Sequence, residues 1–201
     1  MIDATRTTTD LLHGLAGEKQ SASWEEFDRR YRPILVNIAR RMGVRDEEAA
    51  DVAQDTLMRF LVAYRDGKYD RDRGRLRAWL IGIARYRIME ARRATAKEAG
   101  YRGESVVMSL QDESELADAW DIEQRNHMLR IAFDRLRTTT RMSETTIRAF
   151  EMLTHQQMPA PDVAEALGIE VQDVYVAKSR CLKKIREIID ELEQSYAERE
   201  E

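Results

Sequence analysis

Apolar residues recur every three or four positions along most of this chain, the spacing that gathers side chains on one face of an α-helix. Trp24, Phe27, Tyr31, Ile34, Leu35, Ile38 and Met42 form the first such stripe. Ser23-Trp-Glu-Glu26 has the form of a capping box and predicts a helix start there, while Gly43 suits its end. Ala49, Ala53, Leu57, Phe60, Leu61 and Tyr64 form the second stripe, with Asp46 placed to cap it and Asp66-Gly67 to break it. Leu76, Trp79, Leu80, Ile83 and Ile88 form a third, running to about Arg93, and Tyr69–Gly74 before it reads as a charged loop. No segment alternates with a period of two, so the predicted fold is all-α.

The period fades between Ala94 and Asp121, where only a short helix near Ser114–Trp120 is expected. It resumes at Met128, Leu129, Ala132, Phe133 and Leu136, and Thr138–Thr140 interrupts it. Ser143 is placed to cap a helix carrying Ile147, Phe150 and Leu153, and Met158-Pro-Ala-Pro161 forms a turn. A short helix Asp162–Leu167, a turn at Gly168 and a long helix from Val171 to about Leu192 complete the pattern. The reading is two small helical domains, 23–97 and 125–193, joined by a flexible acidic linker, 98–124. A flexible extension, 1–22, precedes them and a tail, 194–201, follows.

Composition agrees with helices: 35% of residues are charged, and there are only 9 Gly and 3 Pro in 201 residues. No apolar run is long enough for a membrane span, and the first fifteen residues lack the pattern of a signal peptide, so a cytoplasmic protein is expected. One cysteine, Cys181, excludes an internal disulfide, and His13, His127 and His155 are scattered, so no metal or other cofactor is expected. No phosphate-cradling glycine loop or nucleophile–base pair is present, which argues against an enzyme. The net charge of −4 hides an uneven distribution. Trp24–Gly103 carries 19 Lys/Arg against 13 Asp/Glu, whereas Glu104–Gln124 carries seven acids and no base. A basic block followed by an acidic strip suggests a domain and then a linker, with the acid mostly outside the surfaces that would meet phosphate.

Asp162–Val174 has the anatomy of a helix-turn-helix. Ala164 is small enough to let two helices approach, and Gly168, four residues on, takes a positive φ cheaply. Leu167, Ile169 and Val174 would fill the wedge between the helices. On the wheel of the last helix, Val174, Ala177, Cys181 and Ile185 share one side. Gln172, Val176, Ser179 and Lys183 lie opposite, flanked by Tyr175 and Arg180. Gln172, Ser179 and Arg180 suit base edges, while Lys178, Lys183 and Lys184 suit phosphates. Asp173 is unfavourable near phosphate unless it accepts from a cytosine amino group. The alternative is a helical hairpin that packs and binds nothing.

Two further stretches name a class. Asp46–Phe60 resembles the Asp-Ala-Glu-Asp-Leu-Val-Gln-Glu-Thr-Phe-Leu-Arg stretch of sigma region 2, and Leu76–Arg85 with Arg92-Arg93 resembles that region's Phe-Arg-Ala-Trp-Leu…Ile-Ala-Arg-Asn…Arg-Arg. The helix-turn-helix falls where sigma region 4 belongs. The likeness covers Trp24–Arg93 and Leu129–Ile189 with no domain between them, as in RNA polymerase sigma factors of the extracytoplasmic-function (ECF) class. Tyr86 stands where an Asn is common and Arg87 where an apolar residue is common. Glu170 replaces the usual Ser or Thr cap, and the recognition helix reads Val-Tyr-Val-Ala-Lys-Ser-Arg.

The resemblance implies partners: core RNA polymerase, promoter DNA and, in some relatives, an anti-sigma factor. It implies that Asp51, Gln54, Asp55, Arg59 and Phe60 meet the polymerase clamp. Tyr69, Asp70, Arg71 and Arg73 would lie in the loop that captures a flipped base of the −10 element, with Arg75, Arg77, Arg85, Arg87, Arg92 and Arg93 as the basic surface behind it. Gln172, Asp173, Tyr175, Val176, Lys178, Ser179, Arg180 and Lys183 would face the −35 element. Trp79 shares a stripe with Leu76 and Ile83 and is expected in the core. The competing function is a free-standing helix-turn-helix regulator whose first half dimerises or binds a ligand.

Overall fold

The computed structural model describes residues 7–16, 20–70, 75–98 and 113–197. Among them are eight helices and no strand: α1 Thr8–Ala16, α2 Gln20–Arg41, α3 Asp46–Arg65, α4 Leu76–Glu98, α5 Glu113–Thr138, α6 Glu144–Thr154, α7 Ala160–Leu167 and α8 Val171–Tyr196. The chain divides into two compact units. One runs to His127 and takes in the chain end from Ser195; the other is Met128–Gln194.

In the first unit α2, α3 and α4 bury the three predicted stripes against one another. Phe27, Ile34, Leu57, Phe60, Leu80 and Ile88 are fully buried. The Phe27 and Phe60 rings stack at 5.4 Å. Gly43 ends α2 with φ +81°, and the Val44 N–H closes back on the Ala39 carbonyl at 3.0 Å.

Four expectations are corrected here. The capping box at Ser23 is not used: α2 already runs from Gln20, Ser23 is buried inside it, and Glu26 pairs with Arg29 and Arg30. Asp46 is the first residue of α3 rather than its cap. Arg45 precedes it with no side-chain cap bond, and Asp46, Glu47 and Glu48 meet the positive end of the helix dipole. The N-terminal extension contains α1, opened by a reciprocal cap: the Asp10 N–H donates to Thr7 Oγ1 at 3.2 Å, and the Thr7 N–H donates to Asp10 Oδ2 at 2.8 Å. Leu11 and Leu15 of α1 are fully buried.

The acidic linker is the fourth. Residues 99–112 lie outside the described residues, but from Glu113 the chain is continuous helix, and Leu116, Ala119 and Trp120 are buried in the core of the first unit. Its acids are partly neutralised there: Arg77 pairs with Asp121 at 2.8 Å and Arg41 with Glu123 at 3.4 Å. At the chain end Tyr196 is packed as well; its ring stands edge-on to Tyr31 at 5.7 Å.

The second unit is built around α6, α7 and α8. Ser143 Oγ accepts from the Thr146 N–H at 3.2 Å, the cap expected for α6. Ala149, Val163, Ala164, Val174 and Ala177 are buried together, with Leu167 and Ile169 packed against them. Among the described residues no helix is long and apolar enough to cross a membrane, and no three His, Cys, Asp or Glu side chains gather as a metal site.

Candidate nucleic-acid interface

The α7–Gly168–α8 stretch takes the geometry its residues require. Gly168 adopts φ +64° and ψ +38°, and the Ile169 N–H returns to the Ala164 carbonyl at 3.1 Å. An αL residue at this point turns the chain sharply enough for α8 to cross α7. The apolar wheel face is buried: Val174 and Cys181 are inaccessible, and Ala177 and Ile185 are each 5% exposed.

The opposite face is open. Gln172, Asp173, Tyr175, Lys178, Ser179, Arg180 and Lys183 are exposed, and Val176 is half-buried. Asp173 lies in the first turn of α8, where a carboxylate is favoured by the helix dipole whatever it does toward DNA. Lys184 is half-buried and pairs with Glu187 at 3.0 Å, which spends part of its charge within the helix. A shallow hollow of about 200 Å³ lined by Ser143, Thr146, Asp173, Val176 and Arg180, among others, adjoins this face.

In the first unit the basic set divides. Arg75 and Arg93 are exposed, and Arg85 and Arg92 are half-buried. Arg77 and Arg87 are already engaged. Arg77 donates to the Ala117 carbonyl at 2.9 Å as well as to Asp121, and Arg87 pairs with Asp55 and Glu90. Both are less available to phosphate than the sequence led one to expect, because helix packing brings carboxylates to them from α5 and α3. Arg71 and Arg73 lie outside the described residues. Asp70 is exposed, and Tyr69 is half-buried with its ring edge-on to Trp79 at 5.5 Å and to Phe60 at 5.6 Å. Trp79 itself packs partly buried against the core, close to its expected place.

On α3, Asp51, Gln54 and Arg59 are exposed and Asp55 is partly so, at 37%. Phe60 is the exception. It has no exposed surface and belongs to the core, so it cannot serve as the aromatic edge of a partner-binding face. Two residues before it and two after it, Met58 and Val62 are 43% and 54% exposed instead. With Tyr86 of α4, 65% exposed, they line a groove of about 580 Å³ whose walls include Trp79 and Ile83 and whose rim carries Asp55, Arg59 and Lys68. The groove was missed in the sequence because its residues come from two helices, each of which shows only a few off-stripe apolar positions.

Residues 27–98 match the family model described as Sigma-70 region 2. Over 195 aligned positions the chain is 29% identical to the ECF RNA polymerase sigma factor SigD of Mycobacterium tuberculosis and of Mycobacterium bovis, covering 89% of this chain and 82% of theirs. The chain is a sigma factor of the ECF class. Its region 2 spans α2, α3 and α4, the helices that carry the groove and the basic set. The family that this sigma factor matches is not a catalytic one. Among solved structures it is similar to a chain described as "Structure of CnrH in complex with the cytosolic domain of CnrY", with 21% identity over 94% of this chain and 98% of that one and a TM-score of 0.38.

Proposed function

We propose that this sigma factor binds core RNA polymerase in the cytoplasm, directs it to particular promoters, aids strand separation there and starts transcription, with no catalytic chemistry of its own. The region 2 match to residues 27–98 carries the reading, since it covers both the α3 face and the basic residues of α4. Asp51, Gln54, Asp55 and Arg59 would meet the polymerase. The neighbouring groove supports this, because Met58, Val62 and Tyr86 offer apolar anchors ringed by charge, the composition of a protein-binding hot spot.

For DNA, Arg75 and Arg93 are exposed cations of the α4 side and would position the −10 element, with Tyr69, Asp70, Arg71 and Arg73 as the base-capturing loop. The α8 face would read the −35 element in the major groove. Arg180 suits a bidentate contact to guanine, Gln172 suits adenine, and Lys178 and Lys183 suit phosphates. Residues 23–97 and 125–193 would thus act as separate DNA-binding domains of one factor. An anti-sigma factor is the further partner this class admits.

The test is transcription from a promoter library with core polymerase and the purified chain. Template-specific transcripts that need both components are expected. Failure to associate with core polymerase would overturn the reading. Tight binding to a two-fold symmetric duplex without polymerase would favour a free-standing regulator instead.

A further inference from the structure

Arg87 makes a contact that neither the core nor DNA binding calls for. From α4 it reaches Asp55 on α3 and Glu90 on its own helix. Its side chain is only 21% exposed, and its Nε is buried with no hydrogen-bond partner among the described residues. A buried guanidinium N–H left unpaired is a cost that an apolar side chain of similar length would not incur. Stability alone therefore does not account for an arginine here.

The geometry at Asp55 supplies the missing reason. Arg87 and Arg59 both make their closest approach to the same oxygen, Oδ2, Arg59 Nε at 3.3 Å. Oδ1 accepts no hydrogen bond among the described residues, and the side chain remains 37% exposed. The planar guanidinium of Arg87 thus clamps one oxygen from the neighbouring helix and leaves the other open.

We propose that Arg87 is a positioning residue: by holding Asp55 Oδ2 from α4, it presents Asp55 Oδ1 to a basic group of core RNA polymerase. This rests on the reading that Asp55 belongs to the polymerase-binding face. A carboxylate already held in one rotamer loses little freedom when the partner's donor arrives, whereas a free one must be ordered first. Partial neutralisation by two cations weakens long-range attraction at the same time. The effect therefore falls on the lifetime of the complex rather than on the rate of encounter.

The test measures association and dissociation of the full-length chain with core polymerase, alongside thermal unfolding. Arg87→Leu is expected to weaken binding about three- to tenfold, chiefly through faster dissociation. Adding Arg87→Leu to Asp55→Asn should cost nothing beyond Asp55→Asn alone. Exchanging the charges, Asp55→Arg with Arg87→Asp, should recover the melting temperature but not the affinity, because the pair is restored while the carboxylate is displaced to α4. Arg87→Lys keeps the charge without the fork and should fall between wild type and Arg87→Leu; it also serves if Arg87→Leu does not fold. Wild-type affinity in Arg87→Leu, full additivity with Asp55→Asn, or recovery of affinity in the exchanged pair would each overturn the proposal while leaving polymerase binding intact. If the wild-type chain itself does not bind core polymerase, the functional reading falls and takes this proposal with it.

Discussion

Arg30 and Tyr196, 166 residues apart in the chain, lie against each other. The Arg30 guanidinium is 5.4 Å from the centre of the Tyr196 ring, and the Tyr196 hydroxyl donates to the Arg30 carbonyl at 3.4 Å. Arg30 has no exposed surface. Its charge is met by Glu26 at 2.9 Å and by the Ser195 carbonyl at 2.7 Å. A buried cation persists only with such partners, and removing one side of the pair strands the other.

Replacing Arg30 should therefore be costly. Arg30→Met is expected to lose about 3 kcal/mol in urea unfolding of the full chain, with Glu26 left to Arg29 alone. Tyr196→Ala should lose roughly 2 kcal/mol, the value of a desolvated cation–π contact. A neutral result at Arg30 would mean that the chain end contributes nothing to the first unit.

Phe60 and Met58 should separate stability from binding. Phe60→Ala empties a core position stacked on Phe27 and is expected to cost about 3–5 kcal/mol. Met58→Ala, at 43% exposure, should leave unfolding nearly unchanged and weaken binding to core polymerase. Equal losses of stability in both variants would contradict the placement of Phe60 inside and Met58 outside.

At Gly168 the cost is one of backbone alone. A Cβ there meets nothing within 4 Å, yet φ is +64°. Gly168→Ala should lose about 1–2 kcal/mol and Gly168→Val more, while Gly168→Asn should lose less, because Asn visits this conformation readily. Thermal unfolding read by circular dichroism ranks the three; an unchanged melting temperature for Gly168→Val would refute the turn.

Two residues on the outer face of α8 should fail differently. Arg180→Ala is expected to relax selectivity at one position of the upstream promoter element, by about 1–3 kcal/mol. Lys183→Ala should weaken binding on all sequences alike and reduce the salt dependence by about one ion. Holoenzyme binding to a panel of single-base variants at several salt concentrations makes the distinction.

Burial, with the nearby Glu151 charge adding to it, pushes the Cys181 thiol up to about 11. Only about one part in a thousand is thiolate at pH 8, so a disulfide reagent should leave the folded chain unmodified and react once urea unfolds it. The sign for stability follows. The unfolded thiol ionises near its ordinary value of 9.0, before the folded one, so stability is complete below about pH 9 and falls as the pH rises toward 11. Cys181→Ala should flatten that part of the stability curve.

Local rules went far in this chain. The period of three to four marked α2, α3, α4 and α8, and Ser143 and Gly168 marked a cap and a turn through the chemistry of a hydroxyl and of a missing Cβ. The inner and outer faces of α8 followed from the same wheel. Where local rules misled, a distant partner had intervened. Ser23-x-x-Glu26 has the letters of a cap, but Glu26 is claimed by Arg30, whose guanidinium is also held by the distant Ser195 carbonyl. The acids of residues 113–124 look like a solvated tether, yet Leu116, Ala119 and Trp120 share their helix and find a core to enter. Thr7-x-x-Asp10 carries a genuine capping signal, but the apolar stripe behind it is too short to mark a helix by its period.

By itself, then, the order of residues marked most of the helices, the turn at Gly168 and the class of protein, since these depend on spacing along one chain segment. Tertiary packing alone decided that Met58, Val62 and Tyr86 share a groove and that Arg77 and Arg87 are already paired. Those outcomes depend on which side chains of separate helices come within a few ångströms of each other, a distance that periodicity within any one helix does not encode.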